Sequence, residues 1–203
     1  MLRLFEKCLG ADYIHTAEGG DYAIQAEGNT LFLLFECSDG REDWKNNFDF
    51  PAKPYKNMTP KWRCHRGFLR VWKAMRNELE IKVAEALKNN PYTAEIVCIG
   101  YSHGAAISVL ATENFAYLYG DKIKVSGYGF GTPRVLWGVV PREVGERLSR
   151  FVSVRNIPDI VTHVPPCVFG FRNAGAMVEI GGHGKYSPVK AHYPEAYINE
   201  LAK

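Results

Sequence analysis

The feature that most restricts how this chain folds is a short buried-type strand that runs into a glycine-flanked serine. Ala94 to Gly100 reads AEIVCIG, the chain continues Tyr101-Ser102-His103-Gly104, and an alanine-rich stretch follows from Ala105 to Leu118. A strand, a Gly-x-Ser-x-Gly turn and a helix in that order make a nucleophile elbow, in which a strained turn lifts the serine hydroxyl clear of the sheet. Glycines two residues before and after the serine let strand and helix pass without Cβ clashes. A glycine-rich turn with an idle serine is the competing explanation for the pentapeptide alone. The flanking strand and helix favour the elbow.

The rest of the chain supplies elements of the same layered kind. Asp21 to Gln25 and Thr30 to Glu36 read as strands about the Gly28-Asn29 turn. The second is almost continuously apolar, as in a strand covered on both faces. Phe68, Trp72, Met75, Leu79 and Val83 fall on one helical face, so the spacing predicts a helix over residues 67–89, ended by Asn89-Asn90-Pro91. Strands are expected at Lys122 to Phe130 and Phe151 to Arg155, and short ones near Phe169 to Arg172 and Met177 to Ile180. Helices are expected at Glu143 to Arg150 and from Pro194 onward. The first fifteen residues show no clear period. Strands alternating with helices indicate an α/β domain with a largely parallel sheet, whose ligand site lies at the carboxyl ends of the strands.

At 203 residues, with 46% hydrophobic and 23% charged residues, the chain fits one soluble domain over residues 1–203. No window is apolar enough for a transmembrane helix. Glu6 and Lys7 occupy the place of a signal peptide's apolar core. Five cysteines without a Cys-x-x-Cys pair speak against a disulfide framework or zinc site and suit a reducing compartment. The expected location on those grounds is cytoplasmic.

A serine hydroxyl becomes a nucleophile only when a base takes its proton, and the base is normally a histidine oriented by a carboxylate. His163, His183 and His192 lie downstream of Ser102, and Asp159 follows the expected strand FVSVR in a strand-end loop. Spacing alone does not choose among the three histidines.

Six ordered blocks resemble the class 3, or fungal-lipase-like, branch of the α/β-hydrolases: FECSDGREDW, CHRGFLRVW, VCIGYSHGAA, YGFGTPRV, VRNIPDIVTHVPP and AHYPEAYI. The resemblance implies a single α/β-hydrolase domain with a mostly parallel sheet flanked by helices. It implies Ser102 as nucleophile, Asp159 as orienting acid and His192 as general base. The main-chain N–H groups of Ser38 and His103 would form the oxyanion hole. Only 57 positions separate Ser102 from Asp159 and 33 separate Asp159 from His192, so neither interval holds a cap domain. Three departures from the family pattern stand out. Glu36-Cys37 replaces Arg-Gly before the oxyanion residue, which reverses a charge and adds a Cβ. Tyr101 replaces a commonly seen histidine before the nucleophile.

Residues 39–65 are the expected flap over the site. Their first part carries Asp39, Glu42, Asp43 and Asp49 with few large apolar residues, which suits an esterase, or a lipase of short or partly soluble lipids, better than strong interfacial activation. Residues 53–76 then hold eight basic residues and no acid, whereas the remaining chain holds 17 basic and 22 acidic residues. This basic stretch is either a solvated helix face or, with Tyr55 and Trp62, a patch for an anionic lipid surface. No base-reading motif accompanies it, so no nucleic acid partner is expected. The function expected is a serine carboxylester hydrolase for lipid or small ester substrates, needing no metal or organic cofactor. The alternatives are a catalytically silent lipid-binding or interaction protein on the same fold, suggested by Glu36-Cys37, and a thioesterase or peptidase with the same triad.

Overall fold

A computed structural model describes residues 1–16, 20–37, 52–55, 61–182 and 184–203. The chain opens with α1 (Leu2–Leu9) and then forms β1 (Ile14–His15), β2 (Gly20–Glu27) and β3 (Thr30–Cys37). After these come β4 (Ala52–Tyr55), β5 (Trp62–His65), the long α2 (Arg66–Asn89), β6 (Glu95–Tyr101) and α3 (His103–Tyr119). The remainder is β7 (Lys124–Phe130), β8 (Leu136–Trp137), α4 (Arg142–Arg147), β9 (Phe151–Asn156), β10 (Phe171–Arg172), β11 (Ala176–Ile180) and α5 (Pro194–Leu201). One-turn 3-10 segments at Ile160–His163, Cys167–Phe169 and Lys190–His192 lie between these elements.

The described residues form a seven-stranded sheet in the order β1-β2-β3-β6-β7-β9-β11. β1, β2 and β3 pair antiparallel, and β3, β6, β7, β9 and β11 run parallel. The apolar run of β3 is explained by its period. Leu31, Leu33 and Phe35 enter one core cluster and Leu34 enters the other, so both faces of the strand are covered. β6 divides in the same way, with Ile96 and Cys98 on one side and Val97 and Ile99 on the other. The first face is covered by α2 through Trp72, Met75, Leu79 and Val83, all fully buried. Burial of each such side chain stabilises the fold by about 1.5–3 kcal/mol. His65 starts α2 by accepting a hydrogen bond from the Gly67 N–H, and Pro91 follows its C-cap Asn90.

Several elements differ from expectation. The opening residues form a helix, α1, which buries only Phe5 and Cys8 of its eight residues on the second face. Two buried positions are too few to print a period. α4 stops at Arg147, three residues short of the expected end, and β7 starts at Lys124. β10 joins β8, β5 and β4 in a separate four-stranded antiparallel sheet. Tyr55 and Trp62 are therefore not part of an exposed patch. Both are buried, and the Tyr55 hydroxyl accepts a hydrogen bond from Trp72 Nε1 at 2.7 Å. The expected flap falls largely on residues 39–51 and 56–60, outside the described residues. Among the described residues, no helix is long and apolar enough to cross a membrane.

Candidate active site

Three loops at the carboxyl edge of the parallel strands meet at one point. Ser102 directly follows β6, Asp159 lies three residues beyond β9, and His192 ends the 3-10 turn between β11 and α5. Ser102 has φ +56°, the one non-glycine residue with positive φ among the described residues. Its N–H bonds the Phe130 carbonyl of the neighbouring strand at 2.9 Å, and its carbonyl accepts the first bonds of α3. The motif glycines are set by contact. A Cβ on Gly100 would lie 2.1 Å from the Gly104 carbonyl oxygen, and one on Gly104 would lie 2.1 Å from that of Phe35. β3, β6 and α3 thus approach too closely for any side chain at either position.

The Ser102 Oγ lies 2.8 Å from His192 Nε2, and His192 Nδ1 lies 2.8 Å from Asp159 Oδ2. A carboxylate only accepts, so Nδ1 carries the hydrogen and Nε2 is left to accept from the serine hydroxyl. The arrangement can therefore move a proton off the serine onto an imidazole held by a carboxylate. Asp159 is fully buried and well supplied with donors. Its Oδ1 accepts from the Val161 N–H at 2.8 Å, and its Oδ2 also accepts from the Tyr197 hydroxyl at 2.6 Å. Tyr197 in turn accepts from the Asn156 N–H at 3.2 Å. Burial, reinforced by the nearby Asp159 charge, holds the Tyr197 phenol well above its ordinary value, so it remains a donor. Gly131, at φ +63°, backs the pair, and a Cβ there would fall 2.8 Å from His192 Cε1 and 3.1 Å from Asp159 Oδ2.

Of the other expected residues, His103 is the first residue of α3, so its main-chain N–H has no intrahelical acceptor. Its ring packs on Phe68, and its Nε2 is enclosed without a partner among the described residues. Burial, aided by His65 and Arg70, pushes this imidazole down to about 4. Ser38 and His183 lie outside the described residues. His163 stands apart from the Asp159–His192 bond. Its carbonyl accepts from Arg134, and burial lowers its imidazole, with Arg155 and Arg134 adding to the effect. Tyr101 and Tyr197 are neighbours of the histidine and the acid that the sequence does not mark as such. No spacing singles out Tyr197, because its hydroxyl reaches Asp159 only through the docking of α5 beside β9.

The chain is 30% identical over 140 residues to secreted mono- and diacylglycerol lipase 1 of Fusarium solani, an overlap of 69% of this chain and 40% of the relative. The chain spans about two fifths of the length of the curated relatives it matches. Among solved structures, lipase II from Rhizopus niveus superposes with a TM-score of 0.72 at 23% identity, covering 84% of this chain and 66% of that one. A triacylglycerol lipase whose catalytic centre is described as a serine protease triad superposes at 0.69 with 25% identity and the same coverages. These matches agree with the α/β-hydrolase fold that the block resemblance implies.

The expected cytoplasmic location is corrected by the Fusarium relative, which is named as secreted. The cysteines do not decide the compartment. Cys8, Cys64 and Cys98 are buried thiols, made inert by packing, whereas Cys167 is exposed, and burial pushes Cys8 up to about 11 and Cys98 up to about 12. A family model described as class 3 lipase matches residues 32–169, well over half of the sequence, and the chain belongs to the class 3 lipase family.

Proposed function

We propose that this protein is a serine carboxylester hydrolase that cleaves lipid or small esters through an acyl-enzyme. The observation that carries the proposal is the unbroken hydrogen-bonded line from Ser102 through His192 to Asp159, built on a positive-φ serine between strand and helix. Ser102 Oγ attacks the ester carbonyl while its proton passes to His192 Nε2. The imidazolium is held by Asp159 through Nδ1, and it then protonates the departing alkoxide. Water enters, gives its proton to His192 and attacks the acyl carbon. The serine ester bond breaks, the proton returns to Ser102 Oγ, and the carboxylic acid leaves. The His103 N–H, together with that of Ser38, receives the developing oxyanion, and such a donor contributes about 3–4 kcal/mol to catalysis.

The relatives support this reading. The Fusarium protein is named for mono- and diacylglycerols, and the triad of a solved triacylglycerol lipase is the type of constellation found here. Within the proposed single domain, Ala52–Tyr55 and Trp62–His65 serve as strands of the second sheet rather than as cover. Lys53, Lys61, Arg63, Arg70 and Lys73 are exposed and provide a face for transient contact with an anionic lipid surface. Hydrolysis of p-nitrophenyl esters of increasing chain length, with Ser102→Ala as control, tests the chemistry. Turnover falling to background in Ser102→Ala, with the best rates at short chains, is expected. Turnover that survives Ser102→Ala would overturn the proposal. Salt-sensitive binding to vesicles containing anionic lipid, absent with neutral vesicles, tests the surface.

A further inference from the structure

The triad reading leaves one contact unused. The ring of Tyr101, at the end of β6, stacks on the His192 imidazole with centroids 5.2 Å apart and planes inclined by 20°. Its hydroxyl donates to the His192 main-chain carbonyl. We infer that Tyr101 is a positioning residue that fixes the general base at two points, the face of its ring and the carbonyl of its own peptide. This inference rests on the role given to His192 above.

The geometry explains why such a residue is needed. The bond from Nδ1 to Asp159 fixes one end of the imidazole, and a tilt about that line would sweep Nε2 away from Ser102. The Tyr101 ring stacked on one face opposes such a tilt. His192 ends a single 3-10 turn, and the Ala191 carbonyl before it accepts from Asn156 Nδ2 at 2.9 Å, so the bond from Tyr101 adds a second side-chain tie to this short backbone segment. Tyr101 is held firmly. Its ring meets Phe5 edge-on at 5.4 Å and Tyr197 at 6.1 Å, and its strand lies mid-sheet between β3 and β7. Burial raises its phenol far above the ordinary value, with the charges of Asp159 and Glu195 acting in the same direction, so the hydroxyl stays a donor. Tyr101 is also bonded directly to Ser102. A movement of the strand end therefore carries nucleophile and base together and preserves their separation.

Tyr101→Phe removes the bond to the carbonyl but keeps the stacked ring. Tyr101→Leu removes both. The test is steady-state hydrolysis of p-nitrophenyl butyrate, with active sites counted by stoichiometric fluorophosphonate labelling and folding followed by thermal unfolding. Tyr101→Phe is expected to lower kcat per labelled site about tenfold, with KM within twofold of wild type. Tyr101→Leu is expected to lower it about a hundredfold, the effect of a misplacement near 1 Å. A merely structural role would reduce the number of sites that label, or Tm, and leave kcat per site unchanged, and that outcome overturns the inference. So does a Tyr101→Phe enzyme with wild-type kcat per site. If wild type itself shows no Ser102-dependent turnover, the triad reading fails first and this inference falls with it.

Discussion

Gly131 offers a sharp way to disturb the site without touching any residue that reacts. It is held by a hydrogen bond from its N–H to the Val154 carbonyl at 2.9 Å, with φ +63°. In Gly131→Ala the new Cβ would sit 2.8 Å from His192 Cε1 and 3.0 Å from its Nδ1. Carbon atoms in favourable contact are about 3.5–4.0 Å apart, so the ring and the new methyl group must separate by about 0.7 Å or more. The backbone is anchored in the sheet, so the imidazole gives way and Nε2 leaves its 2.8 Å contact with Ser102. A displacement of this size lowers kcat by up to about a hundredfold. The left-handed conformation adds about 1–2 kcal/mol of destabilisation for an alanine, which lowers Tm by a few degrees in a chain of this length. The assay is p-nitrophenyl butyrate hydrolysis per labelled site, with urea denaturation to measure stability. A folded Gly131→Ala protein with kcat within threefold of wild type would refute the steric reasoning.

Three further outcomes follow from the same contacts. Tyr197→Phe removes one donor from Asp159 Oδ2 and orphans the Asn156 N–H. Stability by urea denaturation should fall by about 1–3 kcal/mol, and kcat should fall with KM unchanged. Ser102→Gly relieves the φ of +56° and should raise Tm by a few degrees while abolishing hydrolysis, as when active-site strain is exchanged for stability. His103 is neutral in the fold down to about 4, whereas the unfolded chain protonates it near its ordinary value of about 6.5. The unfolded state therefore binds the extra proton between these limits. The stability tied to this residue is present above about pH 6.5 and is lost as the pH falls towards about 4. His103→Phe should flatten the pH dependence of the urea midpoint in that window.

Much of this molecule was legible because its signals are local. The strand, turn and helix around Ser102 are adjacent in sequence, and each glycine of the turn answers to one close approach. The unbroken apolar run of β3 announced a strand covered on both sides, and the face of α2 announced its core contacts through Trp72, Met75, Leu79 and Val83. The second sheet was hidden because two of its strands, Leu136–Trp137 and Phe171–Arg172, hold two residues each and carry no alternation. That gap also put Tyr55 and Trp62 on a surface they do not occupy. Asp159 and His192 were separated from the other candidates by the resemblance of their blocks, since 33 positions of chain do not report a contact. Tyr101 and Tyr197 act through tertiary packing alone. Their hydroxyls meet His192 and Asp159 only after β6, β9 and α5 have assembled.

The most direct measurement is identification of the residue modified by a fluorophosphonate, by mass spectrometry of the labelled protein, in wild type, Ser102→Ala and His192→Ala. Stoichiometric modification of wild type at Ser102, none in Ser102→Ala, and labelling slowed by several orders of magnitude in His192→Ala are expected from a serine activated by that histidine. A correctly folded wild type that stays unlabelled, or that labels at Ser102 just as fast without His192, would contradict the assignment of this site as a working triad.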